Sequence, residues 1–257
     1  MNAHPWEHPR YCDAAETEIT AFGDAAGRAD ATAPVPSCPG WDVAELVRHL
    51  GGTHRWAGGL VRERAERVMG RRELGVTFPQ DADELWPWYK DGAAALLDVL
   101  RGTAPDTPVW TWGPGGTAGW WARRMLHETA VHRADAELAL GERPQVAPDV
   151  ALDGIEELFT NLGAAAVFAP GVDQLRGEGE TISFTAADAG LHWQVRLLPE
   201  GFAWTRADGP DGAHAGMRAA ASDLYLFLWG RRKLGDPALR TSGDEALLIR
   251  WVEHSAV

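Results

Sequence analysis

Read along the chain, apolar residues first recur at a helical period, and later they alternate. From about Asp13 to Ala31 the sequence is rich in Ala and Glu, with Ile19 and Phe22 as its larger apolar groups, which predicts a first helix. The stretch Pro34–Gly40 carries three prolines and ends it. Asp42, followed three residues on by Glu45, has the pattern of a capping box. Val43, Leu46, Val47 and Leu50 then repeat with the spacing of an amphipathic helix, expected to reach about Met69 and to be weakened at Gly51-Gly52 and Gly58-Gly59. A third helix is expected from Asp81 to Leu100, with its start near Pro87, and a fourth from Thr117 to Leu140, stopped by Gly141. Four helices with short or medium connections predict an antiparallel four-helix bundle.

The pattern changes after Gly141-Glu142-Arg143-Pro144. One more helix is expected from Asp149 to about Val167. Period-2 segments follow at Thr181–Thr185, His192–Leu197 and Gly201–Thr205, separated by turn residues, which predicts an antiparallel β-meander. Helices over Ala221–Arg231 and Asp244–His254 complete the pattern. The expected architecture is therefore a helical domain over residues 1–147 and a smaller α+β domain over residues 148–257.

Composition narrows the functional classes. The chain has 257 residues, 45% hydrophobic and 24% charged, the values of an ordinary folded protein with a substantial core. Acidic residues outnumber basic ones 37 to 24, a formal charge of −13, which argues against generic binding to nucleic acid or to anionic membrane surfaces. The first sixteen residues contain no apolar run, and no stretch of 18 apolar residues occurs anywhere, so a cytoplasmic protein without a membrane span is expected. Two cysteines, Cys12 and Cys38, are too few for a disulfide framework. Tryptophan occurs 13 times; Trp110, Trp112, Trp120 and Trp121 flank the fourth helix, mostly as expected core, with room for one or two to wall a pocket.

The residues with chemistry to offer are His49, His127, Glu128 and His132. Glu128 and His132 are four apart on one predicted helix and project from the same face. His49 lies mid-helix on another element and can face them across a bundle. A His₂Glu set with one open position is the composition of a catalytic zinc site, whereas an ordinary i,i+4 pair and a core histidine are the bland alternatives. His127 competes with His132, but it lies about 100° round the helix from Glu128. Arg133 and Asp135 follow the last ligand; Asp135 is placed to orient the His132 imidazole, with a surface ion pair as the alternative. Cys38 is either a nucleophile or a small buried side chain. Arg231 and Arg232 either meet an anionic substrate or cap a helix C-terminus. His4 and His8 are expected at the surface.

Three blocks carry a resemblance. The runs VPSCPGWDVAELVRHLGG (Val35–Gly52), MLHETAVHRAD (Met125–Asp135) and ASDLYLFLWGR (Ala221–Arg231) resemble, in this order, signatures of the mycothiol-dependent maleylpyruvate isomerase family. The resemblance implies an N-terminal DinB-like four-helix bundle that holds a divalent metal, zinc or another ion, and a sterol-carrier-like α+β domain. Carried over position by position, its metal ligands fall on His49, Glu128 and His132. It implies mycothiol as the thiol cosubstrate and a small electrophile as substrate, in an isomerase or a thiol S-transferase, and it assigns no further catalytic residue. A ligand- or partner-binding protein without catalysis, and a metal hydrolase using metal-bound water, are the other classes the residues allow.

Overall fold

A computed structural model describes residues 6–209 and 212–256. The chain forms two compact units, one ending at Pro144 and the other running from Gln145 onward.

The first unit holds four helices, α1 (His8–Arg28), α2 (Val43–Arg62), α3 (Ala82–Gly102) and α4 (Ala118–Ala139). Helix α1 packs on α4, and α2 packs on α3 and α4. Asp42 caps α2 as its sequence suggested: its side chain accepts from the Glu45 N–H at 2.8 Å, and the Glu45 carboxylate accepts from the Asp42 N–H at 3.0 Å. Thr117 caps α4 through the Trp120 N–H. Phe22, Leu46, Leu50, Leu60, Tyr89, Leu96 and Trp121 fill the core. The Trp121 indole lies edge-on to Trp56 and donates to the Trp110 carbonyl at 2.8 Å.

Several boundaries differ from those the pattern predicts. Helix α1 starts at His8, five residues early, and α2 ends at Arg62, seven residues short of Met69. The glycines of α2 do not break it. They are buried contact points: a Cβ on Gly51 would fall 2.4 Å from the Trp88 ring and one on Gly52 2.9 Å from Phe78. Glycine there admits α3 and the segment before it at close range, and that gain outweighs the helix propensity lost. Helix α3 begins at Ala82, so Pro87 lies inside it rather than at its start.

In the second unit α5 (Pro148–Asn161) continues into two short 3₁₀ turns, Leu162–Val167 and Pro170–Gln174, where a single longer helix was expected. Strands β1 (Thr181–Ala186), β2 (Leu191–Leu198) and β3 (Gly201–Ala207) are antiparallel neighbours. The sheet has two more strands, β4 (Ala215–Ala219) and β5 (Arg240–Gly243), and its order is β3-β2-β1-β4-β5. Strand β4 runs parallel to β1, so the sheet is mixed. Helices α6 (Ala221–Leu228) and α7 (Glu245–His254) complete the α+β unit, whose core gathers Phe159, Phe184, Trp193, Tyr225 and Trp251. Among the described residues no helix is long and apolar enough to cross a membrane.

Candidate metal centre

Two segments build the centre. The first is the turn Cys38-Pro39-Gly40-Trp41 and the helix α2 it leads into. The Trp41 N–H donates to the Cys38 carbonyl at 3.0 Å, Pro39 and Gly40 occupy the two central positions, and Gly40 has φ of 86°. Proline first and a left-handed glycine second is the chemistry of a type II turn. The turn lays Trp41 against the imidazole of His49, one helical stretch further on, with ring centroids 4.8 Å apart.

The second segment is α4. It has no clear apolar stripe because it is buried along most of its length, charged side chains included: Arg124, His132, Arg133 and Asp135 are all buried. Buried charges need partners. Glu128 and His132, one turn apart, meet His49 from α2. His49 Nε2 lies 3.2 Å from Glu128 Oε1, and His132 Nε2 lies 3.4 Å from the same oxygen. The two imidazoles sit edge to face with centroids 4.8 Å apart. Arg124 Nη2 donates to the other carboxylate oxygen, Glu128 Oε2, at 3.0 Å and fixes the carboxylate plane. The three side chains expected to converge are thus together, with ligand atoms all within 4.8 Å of one another.

The electrostatics follow from this packing. Burial alone would raise the Glu128 carboxyl, but hydrogen bonds from His132 and His49, and the nearby charges of His132 and Arg124, hold it well below the usual carboxylate range. Burial would likewise lower His132; carboxylates at both its nitrogens, Asp135 and Glu128, outweigh this and raise it.

Asp135 is fully buried, which removes the surface-pair alternative: its Oδ2 lies 2.8 Å from His132 Nδ1. Cys38 Sγ donates to Asp135 Oδ2 at 3.5 Å and Ser37 Oγ to Oδ1 at 2.5 Å. Cys38 is half-buried rather than fully buried, and its thiol is directed at a carboxylate. No sequence signal links Ser37 to a residue 98 positions away.

The other candidates lie elsewhere. His127 is fully buried and outside the cluster. Arg133 turns to α1, donating to Glu18 at 2.5 Å and to Glu137 at 2.6 Å, so it braces two helices instead of the centre. His8 is half-buried with Nε2 2.8 Å from the Leu100 carbonyl, not at the surface, while His4 lies outside the described residues. In the second unit Arg231 Nη1 donates to the Trp229 carbonyl at the end of α6, and Arg232 is buried against Asp223 at 3.1 Å, an ion pair that takes up its charge.

A helical unit with a partly buried His₂Glu cluster, joined to an α+β unit, defines the class, and comparison with known proteins assigns it. Residues 12–137 match the mycothiol maleylpyruvate isomerase N-terminal domain, and residues 149–250 match the MDMPI C-terminal domain. The chain belongs to the mycothiol-dependent maleylpyruvate isomerase family. Its fold is similar to that in crystal structures of a mycothiol-dependent maleylpyruvate isomerase and of a histidine-to-alanine mutant of that enzyme. The TM-scores are 0.65 and 0.66 at 13% and 12% identity, covering 92% of this chain and 93% of the other in each case. No curated protein matches the sequence.

Proposed function

We propose that His49, Glu128 and His132 hold one divalent metal ion, zinc fitting best, and that the protein uses it to activate a low-molecular-weight thiol. In this reading the thiol is mycothiol, the substrate is a small electrophile, and the reaction is an isomerisation or a thiol transfer. The observation that carries it is the convergence of two imidazole Nε2 atoms on one carboxylate oxygen. Ligands bound to zinc at about 2.0–2.1 Å in tetrahedral geometry stand about 3.3 Å apart, and the two separations here are 3.2 and 3.4 Å. Two nitrogens and one oxygen suit zinc among other divalent ions. We read the helical unit as a DinB-like antiparallel four-helix bundle and residues 1–147 as the domain that carries the centre, with residues 148–257 as the second domain of the enzyme.

A metal ion in this place supplies Lewis-acid chemistry, and a thiol coordinated to it is held as thiolate. The rest falls to the chain. Arg124 fixes Glu128 so that Oε1 faces both imidazoles, and Trp41 lies beside them, with ring centroids 4.8 Å from His49 and 6.4 Å from His132. The protein needs no nucleophilic cysteine of its own: Cys12 is fully buried and its thiol is pushed up by that burial, and Cys38 is spent on Asp135.

Purified protein is expected to carry about one zinc per chain and to consume maleylpyruvate-like electrophiles only with mycothiol present. Turnover without thiol would convert the reading to a hydrolase. Silence across electrophiles in a zinc-loaded protein would convert it to a binding protein.

A further inference from the structure

Three hydrogen-bond donors meet on the Asp135 carboxylate: the Ser37 hydroxyl, the Cys38 thiol and His132 Nδ1, at 2.5, 3.5 and 2.8 Å. Asp135 is fully buried, and a carboxylate only accepts, so the hydrogen between it and His132 resides on Nδ1. With Nδ1 protonated, the lone pair of a neutral His132 lies on Nε2, the atom 3.4 Å from Glu128 Oε1.

Ser37 and Cys38 belong to the same short segment as Trp41. The segment is closed on itself: the Val35 N–H donates to the Trp41 carbonyl at 2.9 Å and the Cys38 N–H to the Val35 carbonyl at 3.1 Å. One rigid turn therefore grips Asp135 from α4 and covers the imidazoles with Trp41. Ser37 and Cys38 both lie outside α2, in the turn that precedes it, so these two contacts join the turn to α4. They meet the two oxygens of the carboxylate whose Oδ2 also meets His132 Nδ1.

We infer that Asp135 is the positioning residue of the centre and that Ser37 and Cys38 are its latch, together fixing His132 in the Nδ1–H tautomer so that Nε2 is presented to the metal. The inference rests on the metal reading for its consequence, though the tautomer itself does not. It also gives Cys38 a hydrogen-bonding role in place of a nucleophilic one.

The test uses the full chain in two measurements. Long-range ¹⁵N–¹H NMR of the metal-free protein at alkaline pH, where the imidazole is neutral, reports the His132 tautomer. Competition with a chromophoric chelator reports zinc affinity. The parent is expected to show Nδ1–H. Asp135→Leu, which fills the space but cannot accept, is expected to show Nε2–H and to bind zinc about 10- to 100-fold more weakly. Should that variant not fold, the latch is tested alone: Ser37→Ala with Cys38→Val weakens zinc binding toward the lower end of that range, and Ser37→Thr with Cys38→Ser, which keeps both donors, restores it. A merely structural brace would move neither the tautomer nor the rescue. An Nε2–H tautomer in the parent, or parent-like zinc affinity in both the Leu variant and the Ala/Val double variant, overturns the inference. If the parent binds no zinc, the metal reading fails while the tautomer still decides this assignment.

Discussion

Glu128 in the helical unit and Glu156 in the α+β unit are both half-sunk glutamates with two partners on a single oxygen, and the two sites differ in what they can do. In the helical unit Glu128, its side chain 20% exposed, receives His49 and His132 on Oε1. In the α+β unit Glu156, 15% exposed, receives Trp193 Nε1 at 2.8 Å and Arg206 Nε, also on Oε1. Trp193 and Arg206 stand directly opposite each other on β2 and β3, so their aim at α5 is set by strand register. The geometry is alike, but the chemistry is not. An indole N–H and a guanidinium only donate, so nothing at Glu156 can exchange a hydrogen for a metal. Imidazoles can give up the proton and offer a lone pair in its place. What distinguishes a metal-competent carboxylate from a structural one is its neighbours' capacity to deprotonate, not its burial.

Removing a partner from each glutamate separates the two roles. His132→Ala is expected to lower zinc affinity by more than about 100-fold, beyond the range for outer-shell partners, while leaving the second unit's unfolding transition in place. Glu156→Ala strands the buried Trp193 indole N–H and removes one acceptor from Arg206. Its expected cost is about 1–3 kcal/mol, discounted for Arg206's partial exposure, read as a lowered midpoint in denaturant titration at unchanged zinc content. Zinc lost from the Glu156 variant, or kept by the His132 variant, would break the distinction.

The contrast also explains what could be read in the chain beforehand. The i,i+4 placement of Glu128 and His132 and the cap at Asp42 are local patterns, and they assign the three candidate residues to two helices from the sequence alone. The latch is not local. Ser37 and Cys38 sit in a Pro-rich turn whose sequence says only that a helix has ended; that they reach Asp135 depends on how α1, α2 and α4 pack. The Glu156 cluster is hidden for the same reason, since Arg206 and Trp193 look like ordinary strand residues until register pairs them. Strand β4 escaped because Ala215, Met217 and Ala219 give a faint apolar alternation, and β5 because Arg240–Gly243 contains no apolar residue and is exposed throughout. Edge and parallel strands take their stability from the neighbour they pair with, which a window of sequence does not contain.

A second histidine of α2 sharpens the rule from the other side. His54 is fully buried, as His132 nearly is, but its partner is a hydroxyl: Nε2 lies 3.0 Å from Thr129 Oγ1. Thr129 gives its own hydrogen to the Met125 carbonyl at 2.7 Å, so it accepts from His54, and Nε2 carries the hydrogen. Nδ1 then faces the interior with no hydrogen-bond partner among the described residues. With no carboxylate in contact to offset it, burial pushes the His54 pKa down to about 3. The sign of the consequence is fixed. In the unfolded chain the imidazole titrates near 6.5, so below that pH the unfolded state takes up a proton that the folded state refuses. Stability therefore falls as pH drops from about 6.5 toward 3, by up to about 1.4 kcal/mol per pH unit from this group. His54→Leu leaves Thr129 its bond to Met125 and removes the titration. The variant's loss of stability between pH 6.5 and 4.5, followed by urea unfolding, is expected to be shallower than the parent's by that slope. An unchanged slope would mean that His54 finds a charge-stabilising partner when protonated, and that the identity of the neighbour does not by itself decide a buried imidazole's fate.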